Sequence, residues 1–218
     1  MARVGYNRKI LYLAAVLGAI LFSAAFFLAR NGDGKSDPLL AFIYMPLFGL
    51  PLTAGLVKYR QIGFWGALIL MLGLAAAHFL AIYVADGIYD FRVCYFLDGA
   101  RHAACQASQA REQLAHRVLP AGFCAGIVGA GASFVLLLGL RAVRDGTRVA
   151  MMIAATLVLG VLGAIGLSFG LPDERGALSF VFGLFLPWQL VFGAVLVLLF
   201  DGAAMDAIRR RLSPSRAV

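Results

Sequence analysis

The chain has 218 residues, of which 14% are charged and 62% are hydrophobic, and its mean hydropathy is +0.88. A soluble domain carries roughly 25% charged and 45–50% apolar residues, so this composition excludes an ordinary soluble globular protein. The formal net charge is +8. The cations cluster at the ends of apolar stretches, where they set membrane topology, and the charge therefore predicts no nucleic-acid partner.

Six apolar stretches predict an all-α integral membrane protein, built as a single polytopic domain with six transmembrane helices. A spanning helix needs roughly 20 mostly apolar residues, because it must cross the bilayer while satisfying its own backbone. The first stretch is too long for the apolar region of a signal peptide, so we interpret it as an uncleaved span. The predicted spans are residues 10–29, 39–57, 62–85, 119–140, 149–171 and 178–200.

Lysine and arginine concentrate in alternate connections between these stretches. The basic set comprises the N-terminus, the turn with Lys58 and Arg60, the turn at residues 141–148 and the tail at residues 201–218. By the positive-inside rule these segments are cytoplasmic, which predicts both termini inside a bacterial inner membrane.

The basic tail has helical character as well as charge. Met205, Ile208 and Leu212 recur at helical spacing, while Arg209 and its neighbours can reach lipid head groups. The tail is therefore predicted to be a short interfacial helix that contacts anionic lipids.

The one sizeable connection on the outer side is a predicted cap at residues 86–118. Cys94 and Cys105 lie within it, and a disulfide between them would be stable outside the cytoplasm. His102 and His116 complete the ligand set of a tetrahedral zinc site, but the spacing gives only one closely spaced ligand pair. We predict a structural disulfide and keep the metal site as the weaker alternative.

Polar residues inside the predicted spans mark candidate functional positions, because each is unfavourable in hydrocarbon unless it has a partner. His78 lies in the third span, about 11 Å from its outer end at 1.5 Å per residue. Gln189 lies near the middle of the sixth span. His78 either binds a solute or a proton, or it is a neutral imidazole that bonds to a neighbouring helix.

Three prolines interrupt the hydrogen bonding of two spans. Pro46 and Pro51 in the second span and Pro187 in the sixth cannot donate a backbone hydrogen bond. These helices are predicted to be kinked. Interrupted helices at matching positions are a pointer to a transporter's binding site, so the prolines join His78 and Gln189 as candidate binding residues.

The fourth and fifth spans are rich in glycine. The pairs Gly122 with Gly126 and Gly166 with Gly170 have the four-residue spacing of close helix packing. The pattern leaves open whether these glycines pack within one chain, between copies, or against another membrane protein.

The motifs give no support for enzymatic chemistry or a cofactor. The G-x-S-x-G match at Gly166 to Gly170 closes a predicted membrane helix and lacks the strand-turn-helix setting of a hydrolase. The leading hypothesis is a small transport- or channel-type bundle that binds a small solute. The alternative is a non-catalytic subunit, scaffold or assembly factor of a membrane complex.

Overall fold

A computed structural model describes residues 7–31, 38–59, 61–89, 117–140, 145–170 and 180–212. Every regular element in those ranges is helical. The elements are α1 (Arg8–Asn31), α2 (Pro38–Lys58), α3 (Phe64–Tyr89), α4 (Leu119–Gly139), α5 (Gly146–Gly170), a π-helical segment (Phe180–Phe185), α6 (Leu186–Phe200) and α7 (Gly202–Leu212).

Five helical stretches of the described chain are long and apolar enough to cross a membrane. They are Arg8–Leu28, Phe64–Ala85, Leu119–Gly139, Gly146–Phe169 and Phe182–Phe200. The protein is therefore an all-helical, multi-pass membrane protein. The segment predicted as the second span forms the 21-residue helix α2, whose side chains are described from Pro46 onwards.

The helices pack in chain order and close into a ring. α1 contacts α2, α2 contacts α3, α3 contacts α4, α4 contacts α5, and α5 contacts both α6 and the π-helical segment before it. α6 then packs back against α1, which closes the ring. The interior is filled mainly by large side chains, including Phe22, Phe48, Phe134 and Phe192.

The interior of the helix ring and its outer surface are both apolar and contain the same types of residue. On α3, Leu70 and Leu74 are buried in the interior, whereas Leu72 and Leu80 are exposed on the outside of the bundle. Lipid is as apolar as a protein core, so leucine suits both environments. The division between them is made by helix packing rather than by residue type.

The two proline-containing helices respond differently to their prolines. α2 is helical without a break through Pro46 and Pro51. Two residues beyond Pro51, the buried Thr53 hydroxyl donates to the carbonyls of Gly49 at 2.9 Å and Leu50 at 3.0 Å. The prolines do not end the helix, and the kink predicted at them stays a prediction.

The sixth span changes helical register at its proline. The segment Phe180–Phe185 is π-helical, and α6 begins at Leu186 with Pro187 in its first turn. A π-helical turn is a usual response to a position that cannot donate its backbone N–H, because the ladder must shift past it. The predicted irregularity at Pro187 therefore takes the form of a register change.

Glycines allow α4 and α5 to approach to backbone contact. A Cβ added at Gly122 would lie 2.8 Å from the Cα of Ala164, and one at Gly126 would lie 2.9 Å from the Cα of Gly160. Gly166 faces a different neighbour, since its Cβ would lie 2.7 Å from the carbonyl oxygen of Gly183 in the π-helical segment. Each of these three glycines therefore packs closely against another part of the same chain.

The tail helix predicted from the spacing of Met205 and Ile208 is present as α7. Its apolar side rests on protein, because Met205 is buried and α7 contacts α5 and α6. Asp201 stands between α6 and α7, and its Oδ1 accepts a hydrogen bond from the backbone N–H of Ala204 at 3.1 Å. Asp201 therefore caps the N-terminus of α7.

Most of the predicted outer cap lies outside the described residues, and this includes Cys94, Cys105, His102 and His116. The third helix continues to Tyr89, so the first four residues assigned to the cap belong to α3. Cys124 in α4 is a free cysteine. The disulfide between Cys94 and Cys105 stays a prediction.

Candidate functional site

His78 and Gln189 meet in the interior of the ring. His78 on α3 is 9% exposed and Gln189 on α6 is fully buried. Their Nε2 atoms lie 3.5 Å apart, although 111 positions separate the two residues in the chain. The pair is thus a polar contact between two helices that are not neighbours in sequence.

For a neutral imidazole, a second hydrogen bond of His78 determines the direction of this contact. The imidazole also bonds to the backbone of Leu74, one turn earlier in α3. A neutral imidazole has one N–H donor and one acceptor nitrogen. With its N–H donating to the Leu74 carbonyl, His78 Nε2 accepts from the side-chain amide N–H of Gln189.

Aromatic rings from three helices enclose the imidazole. The ring centroids of Phe22, Phe48 and Trp188 lie 5.5, 5.7 and 5.4 Å from that of His78. These rings come from α1, α2 and α6, so four elements converge on the histidine. The indole N–H of Trp188 is itself engaged, because it donates to the carbonyl of Leu159 at 3.1 Å.

Two side-chain atoms of buried polar residues in the membrane helices have no hydrogen-bond partner among the described residues. They are Oε1 of Gln189 and Oγ of Ser23, which is 6% exposed and follows Phe22 on α1. Leaving a buried polar group unpaired costs about 1–3 kcal/mol. Such a group in a membrane interior calls for an explanation, and one explanation is a ligand that supplies the missing bond.

The other buried hydroxyls of the bundle are satisfied by their own helices. Thr53 donates to Gly49 and Leu50, and Ser133 donates to the carbonyl of Gly129 at 2.7 Å. A hydroxyl that donates to the backbone of its own helix already has a partner and needs no ligand to supply one. Gln189 and Ser23 therefore differ from the remaining polar side chains of the core.

The structure brings together some of the predicted site residues and separates others. Pro187 adjoins Trp188 in the first turn of α6, close in sequence to Gln189. Pro46 and Pro51 are half-buried on α2, the helix that also supplies Phe48. The candidate packing glycines Gly122, Gly126 and Gly166 lie at helix contacts of α5, and Gly170 is the last residue of α5.

Sequence reasoning missed Ser23 and the phenylalanines of the site. Ser23 carried a usable signal, because it interrupts an otherwise apolar stretch of the first span. Phe22 and Phe48 carried none, since the chain has 17 phenylalanines and most are plausible lipid or core residues. Only the packing of the helices distinguishes them.

The site contains no Asp, Glu, Lys or Arg side chain among the described residues. The buried polar side chains of the helical interior are Ser23, Thr53, His78, Ser133 and Gln189. Within the same part of the chain, no group of three or more His, Cys, Asp or Glu side chains could hold a metal ion.

Comparison with known proteins gives no relative from which a role could be inferred. No protein-family model matches the chain, and neither a curated protein nor a solved structure does so.

Proposed function

We propose that this protein is a small transport- or channel-type bundle of six spanning helices, with α2 as the span beyond the five established above. The solute path follows the interior of the ring and passes the pair formed by His78 and Gln189. α3 and α6 contribute the polar groups, while α1 and α2 contribute aromatic walls.

The observation that carries this proposal is the unpartnered Oε1 atom of the fully buried Gln189. A purely structural glutamine in hydrocarbon would be expected to use both ends of its amide, because an unpaired end is unfavourable. Intramembrane polar residues that face a bundle interior are typical of substrate and ion pathways. The π-helical segment before α6 supports the same interpretation, since π-helical turns are frequent at functional sites.

We further propose that both termini are cytoplasmic and that the protein belongs to a bacterial inner membrane. The bias of lysine and arginine supports this orientation. The salt bridge between Arg8 and Asp201 supports a shared side for the two termini, because the start of α1 lies beside the start of α7. The exposed residues Arg210 and Arg211 would then face anionic lipids of the inner leaflet.

The alternative role, a scaffold or assembly subunit, relied on glycine faces that would dock a partner. Gly122, Gly126 and Gly166 instead contact other helices of the same chain. A partner could use these positions only after α4, α5 and the π-helical segment had separated. The observed contacts therefore favour the transport hypothesis, and a homo-oligomer or partner protein would have to bind elsewhere.

The test is permeation through purified protein reconstituted into liposomes. Stopped-flow light scattering would follow vesicle swelling in a panel of small solutes that includes amines, polyols and monovalent anions. The proposal predicts that at least one solute enters faster than in protein-free vesicles, and that replacing Gln189 with Met abolishes the difference. Equal rates for every solute in the two kinds of vesicle would contradict it.

A further inference from the structure

Three hydrogen-bond donors around His78 are engaged within the protein. The ring N–H of His78 bonds to Leu74, the amide N–H of Gln189 bonds to His78, and the indole N–H of Trp188 bonds to Leu159. Of these three groups only the Gln189 amide keeps a further N–H, because its nitrogen carries two.

Two acceptor atoms of the interior, by contrast, have no partner at all among the described residues. Gln189 Oε1 is an acceptor only, and Ser23 Oγ can accept as well as donate. The orientation of the amide is fixed by chemistry, because His78 Nε2 needs a donor and the amide nitrogen is the end that supplies it. The carbonyl end of Gln189 is consequently the end without a partner.

The walls of the site favour the same class of ligand. The faces of Phe22, Phe48 and Trp188 carry negative quadrupole potential, which attracts cations and N–H groups and repels anions. No buried Lys or Arg among the described residues offsets this preference, since the buried polar side chains of the interior are those of Ser, Thr, Gln and one His.

We propose that the interior between α1, α3 and α6 binds a small amine, as the free base or the ammonium ion, through an N–H group donated to Gln189 Oε1. The inference rests on the proposed transport function and names its substrate class. The carbonyl oxygen and the ring faces together make the site less favourable for anions than for amines.

The chain offers a built-in probe of this site. It has two tryptophans, and Trp65 is 71% exposed while Trp188 is buried beside the imidazole. Replacing Trp65 with Phe leaves Trp188 as the only indole, so its fluorescence reports on the site. The purified Trp65→Phe protein in detergent would be titrated with methylammonium chloride against sodium chloride at equal ionic strength.

Two further salts separate the contributions to binding. Tetramethylammonium has the charge but no N–H donor, and sodium formate presents a small anion. The proposal predicts a saturable change in Trp188 fluorescence with methylammonium only. An equal response to formate, an equal response to tetramethylammonium, or no response to methylammonium would each overturn it.

A matched pair of variants tests the acceptor. Gln189→Met keeps the length of the side chain but lacks the carbonyl, and Gln61→Leu removes an amide from an exposed position in the turn before α3. We expect methylammonium affinity to fall about tenfold or more in the first variant and to stay unchanged in the second. Unchanged affinity in Gln189→Met, in a protein that elutes as a single species, would overturn the proposal.

The two experiments can contradict the amine-binding proposal and the transport proposal independently of each other. Methylammonium binding without permeation of any solute would retain the site and remove the transport function. Permeation of another solute class with no response to methylammonium would retain the transport function and overturn the amine assignment.

Discussion

Arg8 and Asp201 lie 193 positions apart in the chain, yet their Nη1 and Oδ2 atoms are 3.5 Å apart. The same carboxylate caps α7 through Ala204. Asp201 thus links the first helix, the end of the sixth helix and the tail helix at one end of the bundle. A second carboxylate also links two helices, because Asp145, which precedes α5, forms salt bridges with Arg148 of α5 and Arg209 of α7.

The two roles of Asp201 can be separated by substitution. Asn can still cap a helix but carries no charge, whereas Ala does neither. We expect Asp201→Ala to weaken the docking of α7 by about 0.5–2 kcal/mol, and Asp201→Asn to weaken it by no more than about 1 kcal/mol. A spin label at Ala207→Cys, with the native cysteines replaced by Ser, would report this as increased label mobility.

The control for that experiment is Asp206→Asn. Asp206 is exposed and pairs with Arg209 within α7, so its loss should leave docking unchanged. Equal mobility in the Asp201→Ala variant and in the parent protein would show that the cap does not hold α7 in place.

The docking of α7 should also depend on pH through Asp145. Burial alone would raise the pKa of Asp145, but the backbone N–H of Arg148 and the charges of Arg148 and Arg209 outweigh it, and the pKa lies below its ordinary value of 3.8. A lowered pKa means that the carboxylate stabilises the docked state above pH 3.8 and loses this effect as the pH falls through the shifted value.

The same spin label measures this prediction. Label mobility should be constant between pH 7 and pH 5 and should rise below about pH 4. In Asp145→Asn the mobility should already be raised at pH 7 and should lack the acid step. An identical acid step in that variant would assign the transition to another group.

The contact between α4 and α5 predicts that replacing glycine with alanine has different effects on stability at Gly126 and at Gly131, both of which lie on α4. A Cβ at Gly126 would collide with the backbone of α5, whereas a Cβ at Gly131 would meet only Thr156, at 3.9 Å. We expect Gly126→Ala to destabilise the protein by about 1–3 kcal/mol. Gly131→Ala should be neutral or stabilising by up to about 1 kcal/mol, because Ala is the better helix former.

Unfolding in detergent, followed by circular dichroism as SDS is added, would compare these two variants. Equal midpoints for Gly126→Ala and Gly131→Ala would contradict the backbone contact at Gly126.

His78 and Gln189 should be energetically coupled. His78→Leu leaves the amide of Gln189 without its acceptor, and Gln189→Leu leaves His78 Nε2 without its donor. Each single change should cost about 1–3 kcal/mol. The double variant should be less destabilised than the sum of the two, because it removes both polar groups together.

Unfolding midpoints of the four proteins give the coupling free energy directly. Strictly additive effects would mean that the two side chains do not interact.

The sequence predicts the parts of this structure that depend on composition. Long apolar stretches such as Leu119–Gly139 are helical because a membrane-embedded backbone must satisfy its own hydrogen bonds, and the spacing of Met205 and Ile208 predicts α7. His78 and Gln189 stand out as polar residues in apolar surroundings. Pro187 marks the point where the sixth span changes register.

The parts that depend on helix rotation could not be predicted. Leu70 and Leu72 are chemically identical, yet one faces the core and the other the outside, because apolar residues suit both sides of a membrane helix. For the same reason, neither the contact between His78 and Gln189 nor the position of Phe22 beside the imidazole could be predicted from the sequence. The same holds for the contact of Gly166 with the π-helical segment rather than with α4.

The central claim is that a solute passes the Gln189 carbonyl, and permeation measured with a matched pair of variants tests it most directly. Liposomes with equal amounts of wild-type, Gln189→Met or Gln61→Leu protein would be compared by stopped-flow swelling, using the solute that wild-type protein passes fastest. The prediction is that Gln61→Leu retains the wild-type rate while Gln189→Met falls to that of protein-free vesicles. A Gln189→Met protein that is correctly folded and passes the solute at the wild-type rate would contradict it.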